Sequence, residues 1–183
     1  MIIYGFTGMP WSGKSEAVKI AKDSGIHVFR MGDFVWKEVE RRNLTLNPKN
    51  VGFVAQDMRE KYGNTIWAEK TVEAIKKKGD VDFIVIDGIR SLQEVSFFRA
   101  YLSNSFHLVA IQASDESRHS RAKLRKRADD SINDDEILKR DERERKWGIE
   151  QVIENADIVI FNESTLDEFR KKIVDLFSET ISK

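Results

Sequence analysis

The sequence of 183 residues contains no cysteine, only two prolines and only three histidines. Without cysteine the chain can form no disulfide, no thiolate metal site and no cysteine nucleophile. The three histidines are scattered and show no metal-ligand spacing. Basic and acidic residues are equal in number, 31 of each, so no net charge draws the chain towards nucleic acid or an anionic membrane. We therefore expect no nucleic-acid partner.

The sequence also lacks a long apolar run, an internal repeat and a low-complexity segment. No stretch is long enough to span a bilayer, and the N-terminus does not show the order of a secretory signal. We therefore expect a cytoplasmic protein without a membrane partner. The length and the 40% of apolar residues are sufficient for one compact domain, residues 1–183, with a buried core.

What the sequence does contain is a glycine-rich segment near its N-terminus. Gly8–Ser15 fits the pattern G-x-x-x-x-G-K-[ST] of a phosphate-binding loop, between a short apolar run and a helical pattern. In such a loop backbone N–H groups bind phosphates, Lys14 reaches the outer phosphates and Ser15 is a Mg²⁺ ligand. The residues predicted to contact ATP are Gly8, Met9, Pro10, Trp11, Ser12, Gly13, Lys14, Ser15 and Glu16.

Apolar runs of strand length alternate with helical patterns along the whole chain. This order predicts an α/β fold with a parallel sheet and helices on both faces. The polar stretch that follows the second strand predicts two helices broken near Pro48, an acceptor-binding insert at about 32–62. The predicted strands are Ile2–Thr7, His27–Met31, Phe83–Ile86, Phe106–Ile111 and Ile158–Phe161.

Polar residues follow the third strand, at the sheet edge where ligands of α/β proteins bind. Asp87 with Gly88 could form an ordinary turn, but beside a phosphate loop we expect Asp87 to hold Mg²⁺. Arg90 can form paired hydrogen bonds with an acceptor phosphate. Gln93, one helical turn later, is a surface residue or a contact of a base or sugar.

The second strand is followed by Gly32 and Asp33, at the same edge of the sheet. Asp33 could accept a hydrogen bond from the acceptor, or cap a helix that begins at Phe34. It is also the residue we would name as a base if the acceptor were a hydroxyl. Arg59, in the next helical region, is predicted to contact the acceptor, although a single arginine on a polar helix is usually solvated.

The segment at about 115–147 carries charges of both signs and little apolar surface, so we expect it to project from the core. Arg118, Arg121 and Arg125 share one helix face. The segment is either a salt-bridged surface helix or a lid whose arginines stabilise charge during phosphoryl transfer. In the second case Arg127 and Arg140 act in catalysis together with Lys14.

These motifs together resemble those of the P-loop nucleoside monophosphate kinases over nearly the full chain. GMPWSGKS is similar to the adenylate kinase loop, MGDFVW to the start of the acceptor-binding helices and VIDGIRS to an element near the acceptor phosphate. RKRADDS and KRDERE resemble lid arginines. ENADIVIFNES resembles the end of dephospho-coenzyme A kinases and of an archaeal adenylate-kinase-related family, to which the chain is most similar overall.

The resemblance implies five parallel strands in the order 2-3-1-4-5, a short helical lid, ATP with Mg²⁺, and AMP or a similar acceptor. It also implies that Asn162 lies against the ATP base. Two positions depart from the family pattern: Trp11 replaces a glycine of related loops, and Trp36 replaces an acceptor arginine of adenylate kinases. If the first position requires a positive φ, tryptophan is costly there.

Two functions remain open at this stage. The first is an ATP- and Mg²⁺-dependent kinase for a nucleotide-like small molecule. The second is a nucleotide-dependent assembly factor or RNA-associated ATPase on a kinase fold, suggested by the two tryptophans and the basic helix and opposed by the zero net charge. The choice between ATP and GTP and the oligomeric state are open as well.

Overall fold

A computed structural model describes residues 1–124 and 134–181 of the chain. Its five strands are all parallel and lie in the order β2-β3-β1-β4-β5. The predicted α/β fold and strand order are thus confirmed. The strands are β1 (Ile2–Thr7), β2 (His27–Arg30), β3 (Phe83–Asp87), β4 (Phe106–Gln112) and β5 (Ile158–Phe161).

Helices connect the strands. Three of them follow β2, and the predicted break near Pro48 is where α3 begins, with Asn47 as its side-chain cap. In the two described ranges no helix combines the length and the apolarity needed to cross a bilayer. The helices are α1 (Lys14–Asp23), α2 (Met31–Arg41), α3 (Pro48–Tyr62), α4 (Ile66–Lys78), α5 (Leu92–Leu102), α6 (Asp115–Leu124), α7 (Asp134–Lys146), α8 (Ile149–Glu154) and α9 (Leu166–Ile181).

The sheet buries an apolar cluster on each face. One cluster joins the sheet to α1 and α9, and the other joins it to α2, α3, α4, α5 and α8. Because side chains alternate along a strand, Ile3 packs in one cluster and Tyr4 in the other. The carboxyl ends of the strands meet at one edge, where Arg30 is the register partner of Asp87.

The junction of β2 and α2 differs from the prediction. The strand ends at Arg30 and the helix begins at Met31, with no loop between them. The prediction that Asp33 caps a helix beginning at Phe34 is wrong, because Asp33 already lies in the first turn of α2. The direct junction instead puts Arg30 at the carboxyl edge of the sheet.

The strongly charged segment also differs from the prediction, because part of it is buried. Arg118 of α6 is fully buried, and Asp141 of α7 is 1% exposed. Arg118 donates hydrogen bonds to both carboxylate oxygens of Asp141, at 3.0 and 2.7 Å, and to the carbonyl oxygen of Pro10 at 3.0 Å. Charge can be buried when it is paired and hydrogen-bonded. Helices α6 and α7 therefore pack on the phosphate loop rather than projecting from the core.

Candidate active site

The segment Gly8–Ser15 forms a tight loop between β1 and α1. Gly8 and Gly13 have φ values of 139° and 118°. A Cβ at Gly8 would lie 2.2 Å from the carbonyl oxygen of Ile111, and one at Gly13 would lie 2.4 Å from Nδ2 of Asn162. Only glycine fits both the backbone conformation and the space. The motif glycines are therefore required by the local geometry.

Trp11 has a φ of 60°, so the departure from glycine places a bulky residue in the left-handed region. This conformation costs roughly 1–2 kcal/mol. The side chain is 7% exposed and packs with Ala122 of α6 and Ile137 of α7. The guanidinium carbon of Arg140 lies 5.0 Å from the centroid of the indole ring. Burial of the ring offsets the strain and attaches the loop to α6 and α7.

Lys14, the invariant position of the loop motif, starts α1 and turns back towards the loop. Its Nζ donates hydrogen bonds to the carbonyl oxygens of Gly8 and Met9, at 2.5 and 2.9 Å. Burial lowers the pKa of Lys14 to about 8, although the carboxylates of Asp87 and Glu144 oppose the shift. The ammonium group is therefore mostly charged at pH 7, and it loses its proton as the pH rises through about 8.

This pKa predicts that nucleotide binding is linked to proton uptake. Phosphate groups near Nζ favour its charged form, so binding raises the pKa of Lys14. We expect the binding of ATP with Mg²⁺ to take up roughly one proton at about pH 9 and almost none at about pH 6. Calorimetric titration in two buffers of different ionisation enthalpy measures the uptake. In the free protein, the free energy of unfolding should rise between pH 8 and 10.5, where the unfolded chain binds more protons.

Two variants test the assignment of that proton. Lys14→Met should remove the uptake, whereas Lys77→Ala, which removes an exposed lysine at the end of α4, should leave it unchanged. Equal uptake by the wild-type protein and Lys14→Met near about pH 9 would contradict the prediction.

A cavity of about 730 Å³ adjoins the loop. It extends from the loop to the carboxyl ends of β2 and β3 and to the residues that follow β5. Met9 and Ser12, although part of the loop, are buried and do not line it. The predicted site residues that line it are Gly8, Pro10, Trp11, Gly13, Lys14, Ser15, Glu16, Asp87, Arg90, Arg140 and Asn162.

Asp87 and Ser15 both line this cavity, as expected of residues that hold a metal ion. Atom Oδ1 of Asp87 is buried, and among the described residues it has no hydrogen-bond partner. Nε of Arg30 lies 3.6 Å from the other carboxylate oxygen. An unpaired carboxylate oxygen and a hydroxyl are ligands that Mg²⁺ prefers. The residues present therefore fit the ion.

The two arginines predicted to contact the acceptor are engaged by the protein. Arg90 donates from Nε to Glu144 at 2.6 Å and from Nη1 to the carbonyl oxygen of Gly88 at 3.0 Å. It still lines the cavity. Arg59 is 6% exposed, donates to Glu94 at 3.2 Å and is not among the lining residues. The structure thus brings Arg90, but not Arg59, to the site.

Three other predicted residues are also placed away from the cavity or are not described. Gln93 is exposed and borders a separate depression beside Leu92. Asp33 is not a lining residue; its side chain is 47% exposed and lies 3.5 Å from Nη1 of Arg30. Arg127 lies outside the described residues.

Six charged residues that line the cavity were not among the predicted contacts of ATP, the acceptor or Mg²⁺: Lys19, Lys22, Asp23, Arg30, Arg121 and Glu144. Arg121 donates a hydrogen bond to the carbonyl oxygen of Asn162 at 2.7 Å. A position at a strand end is a sequence signal for Arg30, as it was for Asp87, and helical spacing is one for Arg121. Glu144 gives no such signal, because it lies among many charges of one helix.

The described lining of the cavity has an excess of positive charge, with seven cationic and four acidic side chains. Burial raises the pKa of Glu144, but the cations Arg90, Arg140 and Arg143 outweigh this and hold it below its ordinary value. A cavity with this balance favours anionic ligands. The cationic residues are Lys14, Lys19, Lys22, Arg30, Arg90, Arg121 and Arg140.

Some known proteins are similar to this chain in sequence. The family model of an AAA domain matches residues 7–138. A UPF0200 protein of Methanosarcina barkeri is 44% identical, over 97% of this chain and 95% of its own length. A UPF0200 protein of Methanocaldococcus jannaschii is 37% identical, over 100% of this chain and 92% of its own length.

Solved structures of shikimate kinases are similar in fold. The enzyme of Aquifex aeolicus has a TM-score of 0.53 and 20% identity, with 97% of this chain and 96% of that chain covered. The enzyme of Bacteroides thetaiotaomicron has a TM-score of 0.61 and 13% identity, with coverage of 100% and 99%. At such low identity the likeness shows a shared P-loop kinase fold.

Proposed function

Since this chain belongs to the UPF0200 family and carries the AAA domain that its residues 7–138 match, we propose that it is a nucleotide kinase. It transfers a phosphoryl group from ATP, in the presence of Mg²⁺, to a small nucleotide-like acceptor such as AMP. The kinase-like P-loop fold supports phosphoryl transfer in general, and the choice of acceptor class rests on the cavity.

The observation that carries this proposal is the extent of the cavity. A nucleotide hydrolase needs room for a triphosphate and a water molecule. The cavity instead continues from Lys14 to Arg30, Gly32 and Arg90, beyond the phosphate loop and along the carboxyl ends of β2 and β3. Arginine at this end can bind a phosphate group of a second substrate.

The residues of the loop have distinct tasks in this reaction. Backbone groups of Gly8–Ser15 would hold the triphosphate, and Ser15 with Asp87 would hold Mg²⁺. The bound ion neutralises phosphate oxygens and orients them. Lys14 and Arg140, which both line the cavity, stabilise the negative charge that develops on the transferred group.

The packing of α6 and α7 keeps water from one side of the site. Pro10 and Trp11 are buried beneath these helices and expose little surface. A phosphate acceptor is already ionised and needs no base, whereas a hydroxyl acceptor requires one. Asp33, the base named from the sequence, lies outside the cavity lining beside Arg30. This arrangement supports a phosphate acceptor.

A transfer assay with a panel of acceptors tests the proposal. The panel holds nucleoside monophosphates, dephospho-coenzyme A and shikimate, and both ADP release and phosphorylated product are measured. We expect Mg²⁺-dependent product with at least one nucleoside monophosphate. Asp87→Asn should weaken the apparent Mg²⁺ affinity by about 10–100-fold. Asp80→Asn, at an exposed position before β3, is the matched control.

If ADP is released at the same rate with and without every acceptor, and no phosphorylated product forms, the proposed kinase activity is contradicted. That result would favour the nucleotide-dependent assembly factor instead. If dephospho-coenzyme A or shikimate is phosphorylated and no nucleoside monophosphate is, the protein is still a kinase, but the proposed acceptor class is wrong.

A further inference from the structure

We propose that Arg30 binds an anionic group of the acceptor and so selects for acceptors that carry a phosphate or carboxylate. This inference rests on the proposed function, because it assigns a residue to the second substrate of the same cavity. The residue was not foreseen from the family pattern, in which an acceptor-binding arginine would stand at the position of Trp36.

The fold places Arg30 at the right edge of the sheet. It is the last residue of β2 and the register partner of Asp87, the last residue of β3. Because parallel strands end together, its side chain starts beside the predicted metal ligand and lines the same cavity. An anion held there lies next to the phosphate loop.

Three neighbours fix the side chain of Arg30 without occupying its hydrogen-bond donors. Its Nε lies 3.6 Å from a carboxylate oxygen of Asp87, and its Nη1 lies 3.5 Å from a carboxylate oxygen of Asp33. The guanidinium carbon lies 5.4 Å from the ring centroid of Trp36. Among the described residues no hydrogen bond to this guanidinium is formed, so its N–H groups remain available to a ligand.

The two arginines that were predicted to contact the acceptor differ in this respect. Arg90 donates from Nε and Nη1 to protein oxygens. Arg59 is 6% exposed and bonded to Glu94, with the ring of Trp147 at 4.4 Å. The side chain of Arg30 is 32% exposed. Arg30 therefore combines access to the cavity with donors that the protein does not use.

The chemistry of the guanidinium specifies the kind of ligand. Its planar array of N–H groups matches the paired oxygens of a phosphate or carboxylate, whereas an ammonium group acts as a point charge. The carboxylates of Asp33 and Asp87 would repel an anion that approached from their side of the guanidinium. The ligand must therefore approach from the cavity. Substrate class and direction of approach thus follow from the same contacts.

Kinetics of Arg30→Ala and Arg30→Lys test this role. With the best acceptor of the panel, Arg30→Ala should raise the acceptor KM by about 10–100-fold. The KM of ATP should change by less than about threefold, within the scatter of a surface substitution. Arg30→Lys should recover part of the loss. Arg99→Ala, which removes an exposed arginine paired with Asp157 outside the cavity, is the matched control.

A binding experiment separates this inference from the proposed function. Inorganic phosphate is titrated into protein saturated with Mg²⁺ and a non-hydrolysable ATP analogue, which fills the phosphate loop. We expect phosphate to bind the wild-type protein and Arg99→Ala, and to bind Arg30→Ala at least about tenfold more weakly.

Each outcome of the two experiments decides a different point. Phosphate binding that depends on Arg30 in a protein without kinase activity would retain the inference and overturn the proposed function. Turnover in which Arg30→Ala alters kcat and both KM values equally, or phosphate binding that Arg30→Ala leaves unchanged, would overturn the inference. A wild-type protein that binds no phosphate beside the analogue would also overturn it.

Discussion

Replacing Arg118 with alanine is expected to lower the free energy of unfolding by about 3–5 kcal/mol. Arg118 is fully buried and donates to Asp141, Pro10 and the exposed carboxylate of Asp115. Alanine would leave Asp141, 1% exposed, as a buried charge without its main partner. It would also remove the hydrogen bond that ties α6 to the phosphate loop. Urea unfolding monitored by circular dichroism measures the loss.

Two control variants separate the buried charge from lost packing. The double variant Arg118→Met with Asp141→Leu removes both charges at similar volume and should recover most of the lost stability. Asp115→Asn should cost less than about 1 kcal/mol, because its side chain is 64% exposed. A loss of less than about 1 kcal/mol for Arg118→Ala would show that the pair is not the main attachment of α6 and α7.

Replacing Lys14 with methionine is expected to lower kcat/KM for phosphoryl transfer by about 10²–10³-fold. Lys14 shares the cavity with Asp87, Glu144 and Arg140, and each of them acts electrostatically on its ammonium group. A fixed charge in a partly dehydrated site acts most strongly on charge that develops in the transition state. We therefore expect the larger part of the loss in kcat. Steady-state kinetics with the best acceptor of the panel measures both constants.

Stability measurements keep this result interpretable. Methionine removes a buried ammonium group whose pKa is lowered to about 8, so Lys14→Met should be at least as stable as the wild-type protein near neutral pH. Lys77→Ala, at the exposed end of α4, should keep full activity. A folded Lys14→Met protein with kcat/KM within about threefold of the wild-type value would contradict the assigned role.

Local patterns were sufficient to predict the parallel sheet and the phosphate loop, whereas the strand order was predicted from the resemblance to P-loop kinases. The physical basis of these patterns is short-range: apolar runs form buried strands, and Gly8 and Gly13 adopt positive φ values that favour glycine. Asp87 could be placed for a similar reason, since a polar residue that ends a buried strand lies at the ligand edge. Arg30 had the same signal, but the strand boundary was placed one residue too late.

The positions of Arg59 and Arg118 could not be predicted, because they depend on partners far away in sequence. Arg59 is buried by Glu94, which lies 35 residues away, and by the ring of Trp147. Arg118 is buried by Asp141, 23 residues away on another helix. Hydrophobic periodicity indicates which helix faces are apolar, but it does not indicate which charged residues pair with each other. The same limit explains why the charged segment was expected to project.

The attachment of Pro10 and Trp11 has a consequence for how this motif could be transplanted. The backbone of Pro10 is held by Arg118, 108 residues away, and the ring of Trp11 lies between residues of two later helices. The conformation of Gly8–Ser15 therefore depends on the rest of this chain. Moved to another scaffold, the eight residues would retain the glycines and Lys14 but leave behind the surroundings that hold a tryptophan in a left-handed conformation. In this chain, positions that the motif leaves open are fixed by tertiary structure.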